Sequence, residues 1–340
     1  VLARKPILIV GGGMLGASVS WIMHSRKAPF FLADDRPSRS AAYASGGLLN
    51  PRPGRWLPPL SEPLSFRSTK SFFQSVEREL EIPLLQTFPL FRPFLDQEHR
   101  KRLIPDLYQD LEISLEENPP PGLEALAPLG GLWVKGALRF DWERFLNHWQ
   151  DRLAQNGLWI PKWFDLRETK IDSGGIRWEG QNFAGILHFG GAQSPLEDIR
   201  QVKGQSLLLE SLTGPDPPAF VKGRWLIPQG RPRMYFAGST FEKAPFEKGP
   251  TVNGTKFLLD FLDRHLPKTS WRVHHAFTGI RAVTSHRKPV FAVDWQNRIL
   301  FVSGLGSKGG LWSSHLAPRL CDRWEDILEG RFDPGDLLKT

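Results

Sequence analysis

Lys5-Pro6-Ile7-Leu8-Ile9-Val10, followed by Gly11-Gly12-Gly13-Met14-Leu15-Gly16, is the stretch that decides the fold class. A short apolar run ends in a glycine turn, and Ala17 to Ser25 reads as a helix. Gly11 permits a tight turn, Gly13 lets backbone approach a pyrophosphate, and Gly16 lets the helix pack close on the strand. Phosphates would rest on the positive helix end, beside Met14 and Leu15. Phe30-Phe31-Leu32-Ala33 reads as the next strand. Asp34, with Asp35 after it, stands at its tip, where an acidic side chain takes ribose hydroxyls. The reading is a dinucleotide site; the alternative is an ordinary glycine turn within an α/β domain.

The chain has 340 residues, enough for two domains or one large one. Forty per cent apolar and 24% charged residues make a globular composition, and 13 Trp and 23 Phe supply bulky core or pocket material. A single cysteine, Cys321, excludes an internal disulfide and a cysteine-rich metal site, and it fits a reducing compartment. No apolar run approaches the ~20 residues of a membrane-spanning helix. No signal peptide precedes the first strand, so the expectation is a cytoplasmic protein. A net charge of +8 favours anionic partners, nucleic acid or acidic metabolites. The positive residues are scattered, however, densest at Arg36 to Arg39, Arg52 to Arg55 and His99 to Arg102, and the plainer reading is a basic surface.

Outward from the opening unit, residues 40–56 are small and glycine-rich, and Ser45-Gly46-Gly47-Leu48 suits backbone lying against a flat ligand. Leu64 to Leu80 has helical spacing, with Phe66, Phe72, Phe73, Val76 and Leu80 on one face. Leu84 to Phe94 alternates like a strand, and Gly131 to Gly136 reads as strand and turn. Asp141 caps a helix that Gly157 stops. Leu158 to Leu166 and Gly175 to Trp178 are short strands. Ile186 to Phe189 runs into Gly190-Gly191-Ala192, a second strand-to-glycine turn. Val202 to Glu210 and Arg233 to Ala237 look antiparallel, and Thr251 to Leu266 is helical. Ile299 to Val302 is a strand, followed by the glycine loop Ser303 to Gly310 and a last helix, Leu311 to Leu328. Nicotinamide dehydrogenases usually complete the cofactor domain in one block, whereas flavoproteins often return the C-terminus to the flavin; this second loop therefore favours FAD.

With these blocks in order, the chain resembles the FAD-dependent oxidases of the D-amino-acid oxidase and glycine oxidase superfamily. The blocks are Gly11 to Gly16 with Asp34, Ala44 to Pro51, Gly190-Gly191-Ala192 with Val202-Lys203-Gly204-Gln205, Leu226-Ile227-Pro228 with Ala237-Gly238-Ser239-Thr240, Gly279-Ile280-Arg281, and Gly304-Leu305-Gly306-Ser307-Lys308-Gly309. Ala282 replaces the family's proline after Arg281. Trp225 stands where glycine oxidase relatives carry a Tyr, and the chain has only Tyr43, Tyr108 and Tyr235. An aromatic wall at Trp225 suits a larger or flatter substrate.

The resemblance implies an α/β protein: a Rossmann-like (GR2-type) FAD-binding domain of residues 1–58, 137–200 and 279–340, and a mostly antiparallel substrate domain of residues 59–136 and 201–278. It implies non-covalent FAD, held by Gly11, Gly13, Met14, Leu15, Gly16, Asp34, Asp35, Ser45, Gly46, Gly47, Leu48, Gly191, Arg281, Gly306, Ser307, Lys308 and Gly309. It implies oxidation of a C–N bond by hydride transfer to flavin N5, with dioxygen as acceptor. Arg281 would fork a substrate carboxylate, with Trp225 beside it. Lys308 and the helix start after it would face the negative charge of reduced flavin near N1 and O2.

Other motifs drop out. Adjacent strand residues His274 and His275 face opposite ways and have no acidic cluster, so no metal site is expected. Gly249 to Lys256 mimics a phosphate loop with Thr255 and Lys256 in the wrong order. His286 reads as a loop histidine, and Ser313-Ser314-His315 is a local string rather than a triad. Cys321 lies well inside the final helix, away from any plausible flavin tether. The expected partner is a small-molecule substrate, an amine or amino acid. Rival readings are a tRNA-modifying oxidase acting on a carboxymethylated wobble uridine, which the basic charge favours, and a flavin-binding protein without activity.

Overall fold

The computed structural model describes residues 5–35, 40–58, 60, 63–107, 112–172 and 175–339. The basic stretch Arg36 to Arg39 and Tyr108 lie outside them. Among the described residues the chain forms β1 (Ile7–Val10), α1 (Met14–Ser25), β2 (Phe30–Ala33), β3 (Leu48–Leu49), α2 (Phe66–Leu80), β4 (Leu85–Pro93), α3 (Gln97–Leu107), β5 (Ile113–Glu116) and β6 (Gly131–Phe140). Next come α4 (Trp142–Gln155), β7 (Trp159–Ile160), β8 (Lys170–Asp172), β9 (Gly175–Trp178), β10 (Gln181–Phe183) and β11 (Ile186–His188). The remainder is β12 (Arg200–Ser211), β13 (Phe220–Lys222), β14 (Arg224–Pro228), β15 (Met234–Gly238), β16 (Glu242–Lys243), α5 (Val252–His265), β17 (Trp271–Val283), β18 (Val290–Asp294), β19 (Ile299–Ser303) and α6 (Gly309–Leu328).

A six-stranded sheet has the order β18-β19-β11-β1-β2-β7, parallel except for β18 at its edge. Every residue of β1 is buried, as a strand covered on both faces requires. Ile7 and Ile9 pack under the helices, with Leu15 of α1, Trp149 of α4 and Leu316 of α6. Leu8 and Val10 pack the other way, against Trp178 and Phe183 of the small sheet β8-β9-β10. Both glycine turns leave from the carboxyl ends of parallel strands, where ligands of such sheets collect.

A second, mostly antiparallel sheet has the path β16-β12-β15-β14-β13-β4-β6-β3, with β17 along β12 and β5 along β6. One face carries α5, whose Leu258 and Leu262 meet Leu207, Leu209 and Leu226. Residues on the opposite face include Leu208, Trp225, Ile227, Phe236 and Phe277. The Ser206 hydroxyl there donates to the Ala44 carbonyl at 2.7 Å, tying the small-residue segment to this face.

Two local expectations need correction. Only Trp159 and Ile160 of the stretch 158–166 pair as a strand; Leu166–Glu168 is a short 3-10 turn capped by Asp165. Gly136 does not end its strand. β6 continues to Phe140, and a register shift between Phe88 and Leu90 absorbs its positive φ. The basic string His99 to Arg102 lies inside a helix, begun by the Asp96 carboxylate accepting the His99 N–H at 2.7 Å. Its polar sequence, with Leu103 buried, carries little periodicity to betray a helix.

Candidate active site

The nucleotide end is built by steric exclusion. Gly11 has φ +95°, and a Cβ there would stand 2.5 Å from the Phe189 carbonyl oxygen. A Cβ on Gly16 would run into the Gly11 carbonyl oxygen. The helix therefore packs on the strand only because both side chains are missing. α1 starts at Met14 and Leu15 after Gly13, with no side-chain cap and no acidic residue in its first turn. Its positive end is left for a bound anion. Asp34 is 6% exposed, and its Oδ2 accepts the Gly12 N–H at 2.6 Å. The carboxylate thus braces the glycine turn, a bond that sequence spacing does not disclose. Asp35 is exposed beside it.

Asp34→Ala leaves the buried Gly12 N–H without its acceptor. The expected cost is roughly 1–3 kcal/mol of stability, read by denaturant melts of the FAD-free protein, together with weaker FAD retention. Unchanged stability and FAD affinity would refute both roles.

The second glycine loop comes back to the first. Ser303 Oγ donates to the Gly191 carbonyl at 2.7 Å, so the strand-to-glycine turn at Gly191 sits at the start of the loop. Gly306, Ser307 and Lys308 form a 3-10 turn that runs into α6 without a side-chain cap. Ser307 is exposed and Lys308 half-buried. A Cβ on Gly309 would stand 2.6 Å from Met14 Sδ, and one on Gly310 would stand 2.6 Å from Leu49 Cδ2. Two uncapped helix starts from opposite ends of the chain therefore lie side by side, next to the segment Ser45 to Leu48. Within that segment Gly47 has φ +80°, and its carbonyl accepts the Phe140 N–H at 3.0 Å. Leu48 pairs with Arg139.

Trp225 and Arg281 lie on the sheet face below this segment. Trp225 opposes Gly238 across β14 and β15, and its indole fills the room that side chains on Gly46 and Gly238 would take. The Arg281 guanidinium lies over Gly204, where a Cβ would meet it. Its Nη2 donates to Ser239 Oγ at 2.7 Å and its Nη1 to the Thr240 carbonyl at 3.4 Å. Gly238 opposes Ser206, two residues from Gly204, so both side chains lie over neighbouring positions of one face. Burial, and then the Arg224 charge, lower the Arg281 pKa. Among the described residues no carboxylate pairs with its guanidinium. This arrangement can hold a flat group beside Trp225 and an anion at Arg281.

The remaining candidates lie apart. His274 pairs with Glu210 at 3.0 Å, whereas the His275 ring lies 4.4 Å from that of Phe277. Among the described residues no cluster of His, Cys, Asp or Glu has a metal-binding arrangement. Ser314 bonds Thr69 and His315 bonds the Leu337 carbonyl, so that string is packing. Cys321 lines a cavity of about 400 Å³ with Lys5, Arg26 and Trp324, at the amino end of β1 and away from the glycine turns. Burial pushes its thiol up to about 12. Among the described residues no helix is long and apolar enough to cross a membrane.

The sequence matches the family model DAO, FAD-dependent oxidoreductase, over residues 6–323. The chain belongs to the DAO family of FAD-dependent oxidoreductases. The fold agrees. Glycine oxidase from Geobacillus kaustophilus superposes with a TM-score of 0.74 at 18% identity, covering 97% of this chain and 96% of that one. Iminodiacetate oxidase from Chelativorans sp. BNC1 does so with a TM-score of 0.72 at 16% identity, covering 98% of each chain. L-proline dehydrogenase from P. horikoshii gives 0.73 at 12% identity, covering 99% of this chain and 96% of that one. No curated protein matches the sequence.

The site of this DAO-family chain fits its cofactor class. The glycine turn excludes side chains, as a turn that meets phosphates must, and both neighbouring helix starts are uncapped. Sequence reading passed over Gly204, Ser206, Ser239 and Thr240 as site residues. Gly204, Ser239 and Thr240 stood inside the quoted blocks and Ser206 just after one, but only strand register brings them under Trp225 and Arg281.

Proposed function

We propose that this DAO-family enzyme oxidises the C–N bond of an amino acid or amine that carries a carboxylate. The observation that supports this most is Arg281: a guanidinium lodged on the sheet face, with no carboxylate among the described residues to neutralise it. Two of its five N–H groups go to Ser239 and Thr240; those left suffice for a two-point fork. Such a fork would fix the orientation of the substrate carbon. Trp225 would form a flat wall beside it, offering one N–H donor and no acceptor.

FAD, when bound, would take the hydride from the carbon that bears the nitrogen, so that the C–N single bond becomes C=N as the nitrogen loses a proton, and dioxygen is the proposed final acceptor. Gly11, Gly13, Met14, Leu15, Gly16, Asp34 and Asp35 would hold its adenosine and pyrophosphate end. Ser45 to Leu48, Gly191, Arg281 and Gly306 to Gly309 would surround the flavin end. The helix start after Lys308 would favour negative charge there. We assign residues 1–58, 137–200 and 279–340 to the FAD domain and 59–136 and 201–278 to the substrate domain. The six-stranded sheet, built wholly from the first set, supports this division in outline, while β6 and β17 run across its boundaries at 136/137 and 278/279.

The test is anaerobic mixing with glycine, iminodiacetate, proline, simple amines and tRNA while the flavin absorbance is followed. Bleaching by one of the small molecules, an amino acid or an amine, is the expected result. Bleaching by tRNA alone would transfer the function to nucleic-acid modification, and bleaching by none would point to a binding protein. FAD is expected to be non-covalent, since Cys321 lies at the far end of the sheet. Acid precipitation should leave a yellow supernatant; a yellow pellet would refute this.

A further inference from the structure

The acceptors of Arg281 sit at the corner where β15 turns into β16, and that corner is fastened from behind. The Thr240 N–H donates to the Gln205 carbonyl at 3.0 Å, and Thr240 Oγ1 accepts the Gln205 N–H at 2.8 Å. The same hydroxyl donates to Glu242 Oε1 at 3.0 Å. The other Glu242 oxygen lies 3.2 Å from Lys203 Nζ. Gln205 continues the chain into α5, accepting the Thr251 N–H at 2.8 Å and donating to Thr255 Oγ1 at 2.8 Å.

Lys203 is 2% exposed, and its ammonium has no hydrogen bond of good geometry among the described residues. The Glu242 charge is its compensation, since a buried ammonium is tolerated only when paired. Lys203 and Glu242 are register partners on β12 and β16. Alternation puts them on the α5 face, whereas Arg281 lies over Gly204 on the opposite face. Glu242 stands two residues from Thr240, whose carbonyl Arg281 uses. Lys203 therefore engages the corner's carboxylate from behind and keeps its charge from competing for the guanidinium.

We infer that Lys203, Glu242 and Ser239 are positioning residues for Arg281: Ser239 orients the guanidinium, and the Lys203–Glu242 pair fixes the corner and leaves the Arg281 charge available to a ligand. This rests on the reading of Arg281 as a carboxylate anchor.

The experiment measures benzoate and benzamide affinity of the FAD-loaded protein, by calorimetry and by the flavin difference spectrum. Lys203→Met is expected to weaken benzoate roughly tenfold and to leave benzamide affinity and FAD content unchanged. Lys203→Met combined with Glu242→Gln removes the competing charge, and most of the benzoate affinity should return. A purely structural pair would make the double variant no better than the single one, and that result overturns the inference. So does wild-type affinity in Lys203→Met. Should Lys203→Met not fold, Ser239→Ala decides: benzoate alone weakens, and Ser239→Thr restores it, or the inference falls. Arg281→Lys separates the two levels. If it leaves benzoate unchanged, or if the wild type binds benzoate no better than benzamide, the anchor reading fails and this inference with it. If Arg281→Lys weakens benzoate but neither Lys203→Met nor Ser239→Ala does, only the positioning network is lost.

Discussion

Arg281→Ala is expected to lower kcat/KM on a carboxylate substrate by about 30- to 5,000-fold. Removing one partner of a desolvated, hydrogen-bonded charge pair costs roughly 2–5 kcal/mol, and ~1.4 kcal/mol is a factor of ten. Arg281→Lys should fall between alanine and wild type, because it keeps a charge and loses the planar fork. FAD content should scarcely change: the guanidinium is lodged over Gly204 and held by Ser239 and Thr240, not by the glycine turns. Steady-state kinetics with the best substrate of the anaerobic panel, and the flavin-to-protein absorbance ratio, read the two effects separately. Normal turnover in both variants would place the carboxylate anchor elsewhere. Loss of FAD in both would make Arg281 a cofactor or structural residue.

The second large effect is expected at Gly16. Gly16→Ala puts a methyl group on the Gly11 carbonyl oxygen, and neither side of that contact is a flexible side chain. Strand β1 and helix α1 must separate, or the glycine turn must change its path. Overpacking of this kind costs roughly 1–3 kcal/mol, and here it falls on the backbone that would meet the pyrophosphate. The purified variant should be close to colourless, with a lowered melting temperature. Gly46→Ala offers a contrast, because its methyl meets the outer edge of the Trp225 side chain rather than a fixed backbone carbonyl. It should retain more FAD. A Gly16→Ala protein as yellow and as stable as wild type would show that close helix–strand approach is not needed.

The local signals in this chain were strong where one element carries them alone. Asp141 caps α4 by accepting the Arg144 N–H, and Thr251 caps α5 by accepting the Gly254 N–H. Phe73, Val76 and Leu80 are the buried face of α2. Such features depend on neighbours three or four residues away, so spacing reveals them. Helix α3 escaped because its burial rests on a few residues, and the Gly136 turn escaped because a bulge against β4 let the strand continue.

The sequence by itself determined the strand, glycine turn and helix at residues 7–25, the second glycine loop before α6, and the family that these blocks in order define. Each depends on residue type at short range: glycine where a Cβ has no room, an apolar run where both sheet faces are covered. Only the tertiary structure decided what those pieces do to one another. It turned Asp34 back onto Gly12, set Met14 against Gly309, and slid Trp225 between Gly46 and Gly238. It also left Arg281 without a carboxylate partner among the described residues, while Lys203 engages Glu242 on the other face of the sheet. These pairings join residues tens to hundreds of positions apart, and strand register and helix packing choose them. A residue's own neighbours in the chain hold no record of which strand will lie beside it.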